Sequence, residues 1–162
     1  MDKLYKKYSK LVFYYLNSLS GDSYIAEELT QETFYKAIKG INKFNNECKI
    51  STWLCKIAKN TWNDYLRKER LQGTFSIDDE NFIEKMIFEK SFEDDIDDKS
   101  ERISLYKYIH ELDEDMREVF YLRLKGELSF KEIGEILNKS EDWARLTFYR
   151  GKIKLKEVMN NK

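Results

Sequence analysis

Proline is absent from all 162 residues of this chain, and glycine occurs only six times. Helix-compatible runs are therefore long, and little forces the tight turns of a β-rich fold. Apolar residues recur at helical spacing. Leu4, Tyr8, Leu11, Val12, Tyr15 and Leu19 mark one face of a first helix, with Asp2 as its cap and Gly21 as its end. A second helix opens at Asp22 or Ser23, with Ile25, Leu29, Ala37 and Ile41 inward and Phe34 and Ile38 close to that side. Ser51 is placed to cap a third, running to about Leu71, with Leu54, Ile57, Ala58 and Thr61 inward. Four more helices are expected at about 101–112, 114–125, 129–137 and 140–158, with Asp113 as a cap and Gly126 as a stop. The fold class read from this pattern is all-α: two small helical domains, residues 1–71 and 101–162, joined by an acidic linker, 72–100.

The formal net charge of -1 averages over unlike segments. Residues 1–70 hold 13 Lys/Arg against 8 Asp/Glu, residues 71–100 hold 3 against 10, and residues 101–162 hold 13 against 12. Two modules with basic surfaces thus flank an acidic stretch, within which a short helix is expected around Asn81–Lys90. Attraction between the acidic stretch and the modules suggests that the linker shields their basic faces in the free protein.

No apolar run reaches the roughly 18 residues that a membrane span needs. The N-terminus lacks the apolar core of a secretory signal. A cytoplasmic protein is expected. Cys48 and Cys55, if on one helix, would lie ~10 Å apart, too far for a disulfide. They read as reduced thiols, with Cys55 partly buried. No nucleophile–base set converges, no glycine-rich loop cradles phosphate, and His110 is the only histidine. The expectation is a non-enzyme with no metal and no cofactor.

Three segments carry functional chemistry. The first is LSFKEIGEILNKSEDWARLTFYRGKIKLK, Leu128 to Lys156. Ser129 and Glu132 form a capping-box pattern, Asn138 tolerates the left-handed conformation that ends a helix, and Ser140 can cap the next. Two short helices around a tight turn are the plan of a helix-turn-helix, whose second helix enters the DNA major groove. From Trp143 onward there are six Lys/Arg and one acid, Glu157. An ordinary amphipathic helix pair has the same pattern.

The second segment, Lys43 to Arg70, interleaves seven Lys/Arg with Phe44, Trp53, Trp62 and Tyr65. Cations hold phosphates while rings stack on unpaired bases, although either tryptophan would serve equally as core. The third is the polar face of the second helix: Glu27, Glu28, Gln31 and Glu32. Acid there repels DNA but suits a basic protein partner; a solvated face reads the same.

Taken in order, these segments resemble the extracytoplasmic-function subfamily of bacterial RNA polymerase sigma factors. AEELTQETFYKAI (Ala26 to Ile38) is similar to the helix of region 2 that docks on the β′ clamp of core RNA polymerase. FNNECKISTWLCKIAKNTWNDYLRKER (Phe44 to Arg70) is similar to the part that opens and reads the minus-ten element, and Leu112 to Glu157 to region 4, which reads the minus-thirty-five element. The resemblance implies polymerase contacts at Glu28, Gln31, Glu32, Phe34 and Ile38. It implies minus-ten contacts at Asn45, Asn46, Lys49, Asn60, Asp64, Arg67, Lys68 and Arg70, the loop Asn45 to Lys49 capturing a flipped base. It implies minus-thirty-five contacts at Arg145, Tyr149, Arg150 and Lys152. The implied partners are core RNA polymerase, through β′ clamp and β flap, promoter DNA, and an anti-sigma factor, which in this subfamily is often membrane-bound.

The chain departs from the pattern where relatives usually carry Ser and Arg: here stand Leu146 and Thr147. Base preference is therefore not transferable. Two alternatives stay open from the residues alone. A stand-alone helix-turn-helix regulator would not need the Gln31–Glu32 face, and a purely protein-binding helical module would not need the basic end after Arg145.

Overall fold

The computed structural model describes residues 2–73 and 99–161. The expected linker helix at 81–90 lies outside the described residues. Seven α-helices appear among those described: α1 (Asp2–Ser20), α2 (Ser23–Gly40), α3 (Ile50–Gln72), α4 (Lys99–His110), α5 (Glu114–Leu124), α6 (Phe130–Leu137) and α7 (Glu141–Asn160). A 3-10 turn, Ile41–Lys43, follows α2. None of these helices is long and apolar enough to cross a membrane.

Local chemistry accounts for most helix ends. The Asp22 carboxylate accepts from the Tyr24 and Ile25 backbone N–H groups and starts α2. Gly73 ends α3 at φ 71°, a left-handed conformation that a residue without Cβ adopts freely. Two expected caps act differently. Helix α3 begins at Ile50, one residue before the expected cap Ser51, with Lys49 in the extended cap position and no side-chain bond. Asp113 does occupy the cap position of α5, but its carboxylate pairs with Lys154 of α7 at 2.8 Å instead of capping. The expected stop at Gly126 also shifts: α5 ends at Leu124, and the left-handed residue is Glu127, at φ 51°.

Helices α1, α2 and α3 form one bundle over Val12, Tyr15, Leu16, Ala26, Leu54 and Ala58, all without exposed surface. Cys55 belongs to this core rather than being partly buried, and burial pushes its thiol up to about 12. Helices α5, α6 and α7 pack over Val119, Leu122, Ile133 and Ala144. The two sets are not separate. Their buried apolar residues join in one cluster, with α1 against α5 and α3 against α6.

The α6–α7 turn is tight because Gly134 leaves room for it. A Cβ there would sit 2.7 Å from the Lys139 carbonyl oxygen and 3.0 Å from the Ser140 backbone. Gly→Ala in a helix interior ordinarily gains up to ~1 kcal/mol. Here the obstruction is backbone, which cannot swing away, so overpacking of ~1–3 kcal/mol outweighs that gain. Gly134→Ala is expected to lower the thermal midpoint by several degrees. An unchanged or higher midpoint would show that the turn is looser than this.

Candidate nucleic-acid and partner interface

Helix α6 carries the full capping box. The Ser129 N–H donates to the Glu132 carboxylate at 2.7 Å, and the Glu132 N–H donates to the Ser129 hydroxyl at 3.2 Å. Burial alone would raise the Glu132 carboxyl, but the Ser129 donors and Lys49 outweigh it and hold it below the ordinary range. Asn138 ends α6 at φ 54°, and the Ser140 hydroxyl accepts the Trp143 N–H to start α7. Only residues 138–140 separate the helices. This is a helix-turn-helix whose turn is capped on both sides.

The second helix of the pair, α7, buries Ala144, Thr147, Gly151 and Leu155. Arg150, Tyr149 and Lys152 are exposed. Arg145 is half-buried and folded back onto its own helix start, 2.8 Å from Asp142 and 2.9 Å from Glu141. Both acids are exposed, so DNA phosphate can compete for the guanidinium at little cost. Thr147 lies on the packed face, so a cation at that position could not reach a groove without repacking. Leu146, by contrast, is exposed.

On α2, Glu28, Gln31, Tyr35 and Ile38 are exposed along one stripe, with Tyr24 at its start. Glu32, at the margin, pairs with Lys36 at 3.1 Å, and Lys36 reaches Asp64 of α3 at 3.2 Å. Phe34 is not brought to this face. It is only 5% exposed and packs edge-on against Tyr5, so it supports the helix from beneath. Ile38 is the reverse case: read as near the buried side, it is 50% exposed.

The third helix and its preceding loop place Asn45, Asn46, Lys49, Asn60, Arg67, Lys68 and Arg70 at the surface. Asn46 has φ 60°, a left-handed conformation that asparagine tolerates better than most residues. Asp64 is shared between Lys36 and Arg67, at 3.2 and 2.9 Å, so it orients cations. Of the two tryptophans, Trp62 is core and stacks on Tyr65, while Trp53 is half-buried against Phe44. Trp62 is therefore not available as a base platform in this arrangement.

The contact between the two halves has no local signature in the sequence. Glu118 of α5 is 3% exposed and points into the first bundle. It accepts a hydrogen bond from the Tyr15 hydroxyl of α1 and pairs with Lys59 of α3 at 2.8 Å. Burial pushes the Glu118 carboxyl up, against the pull of Lys59 and Tyr15. The Tyr15 phenol is raised well above its ordinary value, by burial first and the Glu118 charge second. At a second point of contact between the halves, Glu132 of α6 lies 3.3 Å from Lys49 of the loop, and an open groove there is lined by Phe44, Asn46, Glu47, Lys131, Glu132 and Glu135.

Comparison with known proteins agrees with this geometry. Residues 4–72 match the model of Sigma-70 region 2, and residues 102–155 that of Sigma-70, region 4. The chain is 30% identical over 160 residues to the ECF RNA polymerase sigma factor SigM of Bacillus subtilis, covering 99% of this chain and 95% of that protein. It is 27% identical to the RNA polymerase sigma factor YlaC of the same organism, covering 98% and 91%. Among solved structures, the sigma factor RpoE in complex with the anti-sigma factor NepR from Bartonella quintana superposes with a TM-score of 0.75 at 20% identity, covering 98% of this chain and 96% of that one. That likeness concerns the fold. With a relative of this identity matched over nearly its whole length, the chain belongs to the extracytoplasmic-function family of RNA polymerase sigma factors, which direct the polymerase to promoters.

Proposed function

We propose that three separate surfaces of this chain carry the sigma-factor cycle. The α2 stripe of Glu28, Gln31, Glu32 and Ile38 docks on a basic surface of core RNA polymerase. The loop Asn45 to Lys49 and the exposed side of α3, with Asn60, Arg67, Lys68 and Arg70, read the minus-ten element. Helix α7, through Arg145, Tyr149, Arg150 and Lys152, reads the minus-thirty-five element. The observation that carries this reading is the separation of chemistries. An acidic and apolar stripe stands on one helix, and cation-rich faces stand on two others. Phosphate needs the latter and is repelled by the former.

The described arrangement is the polymerase-free form under this reading. The two promoter elements lie roughly 50–60 Å apart, about one and a half duplex turns. Lys49 and Glu132, from the two readers, are 3.3 Å apart. One chain cannot contact both elements in that state. The halves must part, and a segment of about 25 undescribed residues can extend to ~85 Å. Relatives of this fold have been solved with protein partners, one with the anti-sigma factor NepR and another with the cytosolic domain of CnrY. We infer that this chain has such a partner, which would keep it from polymerase.

The test is promoter output from holoenzyme on a library of upstream variants. Arg145→Ala is expected to lower output and relax selection at one base pair, a base contact being worth ~1–3 kcal/mol. Arg150→Ala, if its contact is to phosphate, weakens all sequences alike. Normal output from both variants across the library would remove α7 from the reading.

A further inference from the structure

Helix α7 has a second face that its packing does not use. Ala144, Thr147, Gly151 and Leu155 face the core. At about 100° per residue the opposite side carries Leu146, Tyr149 and Ile153, spaced three and four apart. They are 55%, 52% and 58% exposed. A single exposed apolar residue is unremarkable, but a continuous row marks a binding surface. On the same wheel, cations flank the row on both sides: Arg145, Lys152 and Lys156 along one edge, Arg150 and Lys154 along the other. Arg145 and Lys154 currently answer Asp142 and Asp113, exposed acids on the same half of the protein. Asp142 lies at the start of the row, where Arg145 neutralises it.

An apolar row between two cationic edges matches the cross-section of a DNA major groove. Phosphates form its two walls, and its floor is apolar only where thymine presents its 5-methyl group. DNA supplies such anions along both edges at once, as the regular phosphates of its two strands. We propose that Leu146 and Tyr149, with Ile153 behind them, read thymine methyl groups in the upstream promoter element while the flanking cations hold the two phosphate walls. This rests on α7 being the recognition helix. The row spans about 10 Å from Leu146 to Ile153, which corresponds to about three base pairs at ~3.4 Å each. The upstream element of this sigma factor should therefore contain two or three thymines in adjacent base pairs, on either strand.

The experiment uses holoenzyme assembled from the full chain and core polymerase. The upstream element is first selected from randomised duplexes, and each thymine in it is then replaced by deoxyuridine. This deletes the methyl and leaves the hydrogen-bonding edge intact. Each contacted methyl is expected to contribute about fourfold in promoter affinity, from the burial of one methyl-sized group. That sensitivity should vanish at one position in Leu146→Ala and at a neighbouring one in Tyr149→Ala. Arg150→Ala should weaken every duplex yet keep the methyl dependence. Selection of a clear upstream element with no deoxyuridine effect would overturn the proposal and leave the recognition helix standing. Unaltered methyl sensitivity in both apolar variants would also overturn it. Loss of polymerase assembly in Leu146→Ala without methyl dependence would overturn it too, assigning the row to a protein. Failure to select any upstream element would remove the recognition-helix reading itself, and this proposal with it.

Discussion

Glu32→Lys is expected to abolish holoenzyme formation while the protein remains folded. Glu32 sits at the edge of the α2 stripe, and its only described partner is Lys36 four residues on, in an exposed pair. Such pairs contribute ~0.3–0.5 kcal/mol, so the fold should tolerate the change. The interface should not. Replacing an acid by a cation removes one partner of an expected charge-assisted contact, which typically costs ~2–5 kcal/mol. It also sets a like charge against basic polymerase. The affinity loss should be roughly 30-fold to several thousandfold. Co-migration with core polymerase in size-exclusion chromatography, alongside circular dichroism, reads both halves of this expectation. Unchanged assembly would show that polymerase docks elsewhere.

Glu118→Ala is expected to open the molecule. The substitution leaves the Lys59 ammonium and the Tyr15 hydroxyl buried without their carboxylate. Breaking a buried pair from one side costs ~3–5 kcal/mol. Because the pair bridges the two halves, that cost falls on their contact rather than on either bundle. The radius of gyration from X-ray scattering should rise. Affinity of the free chain for promoter DNA should rise by up to about two orders of magnitude, since the two DNA-reading halves can then part to the spacing of the promoter elements. Glu118→Lys combined with Lys59→Glu should restore closure, which separates a broken latch from a misfolded domain. Alkali should act in the same direction as Glu118→Ala. Burial raises the Tyr15 phenol first, and the Glu118 charge across the contact between the halves raises it further. Its contribution is therefore complete below the ordinary phenol value of about 10 and is lost as pH climbs through the raised one. A radius and DNA affinity equal to the parent in Glu118→Ala would show that the halves are not held by this cluster.

The helices were legible in the sequence because their signals are local. Ser129 and Glu132, Asn138 and Ser140 sit within a few residues of the bonds they make, so spacing alone reveals them. The misses are non-local. Asp113 resembled a cap, but Lys154, 41 positions away, takes its carboxylate. Ser51 resembled a cap because nothing in the sequence shows that Lys49 already has the extended backbone. Phe34 shares a helix with the proposed docking stripe, and it is buried where it packs against Tyr5 of another helix. Glu118 is the clearest case. Its partners lie 103 and 59 positions away, and in the sequence it is one more glutamate in a charged helix. Segment charges suggested that the acidic linker would shield the basic modules. That stretch lies largely outside the described residues, and the contact that is described is made directly between the two halves. The surface residues themselves came from motif resemblance, and their exposure from the fold; the sequence pattern could not separate Ile38 from Phe34.

This chain, as a sigma factor, confers promoter selection on RNA polymerase. Run-off transcription by core polymerase, with and without the chain, on templates selected by the holoenzyme tests it most directly. The expected result is a single start site that depends on the chain and disappears when either promoter element is scrambled. Initiation that is unchanged by the chain, or insensitive to both elements, would contradict the account.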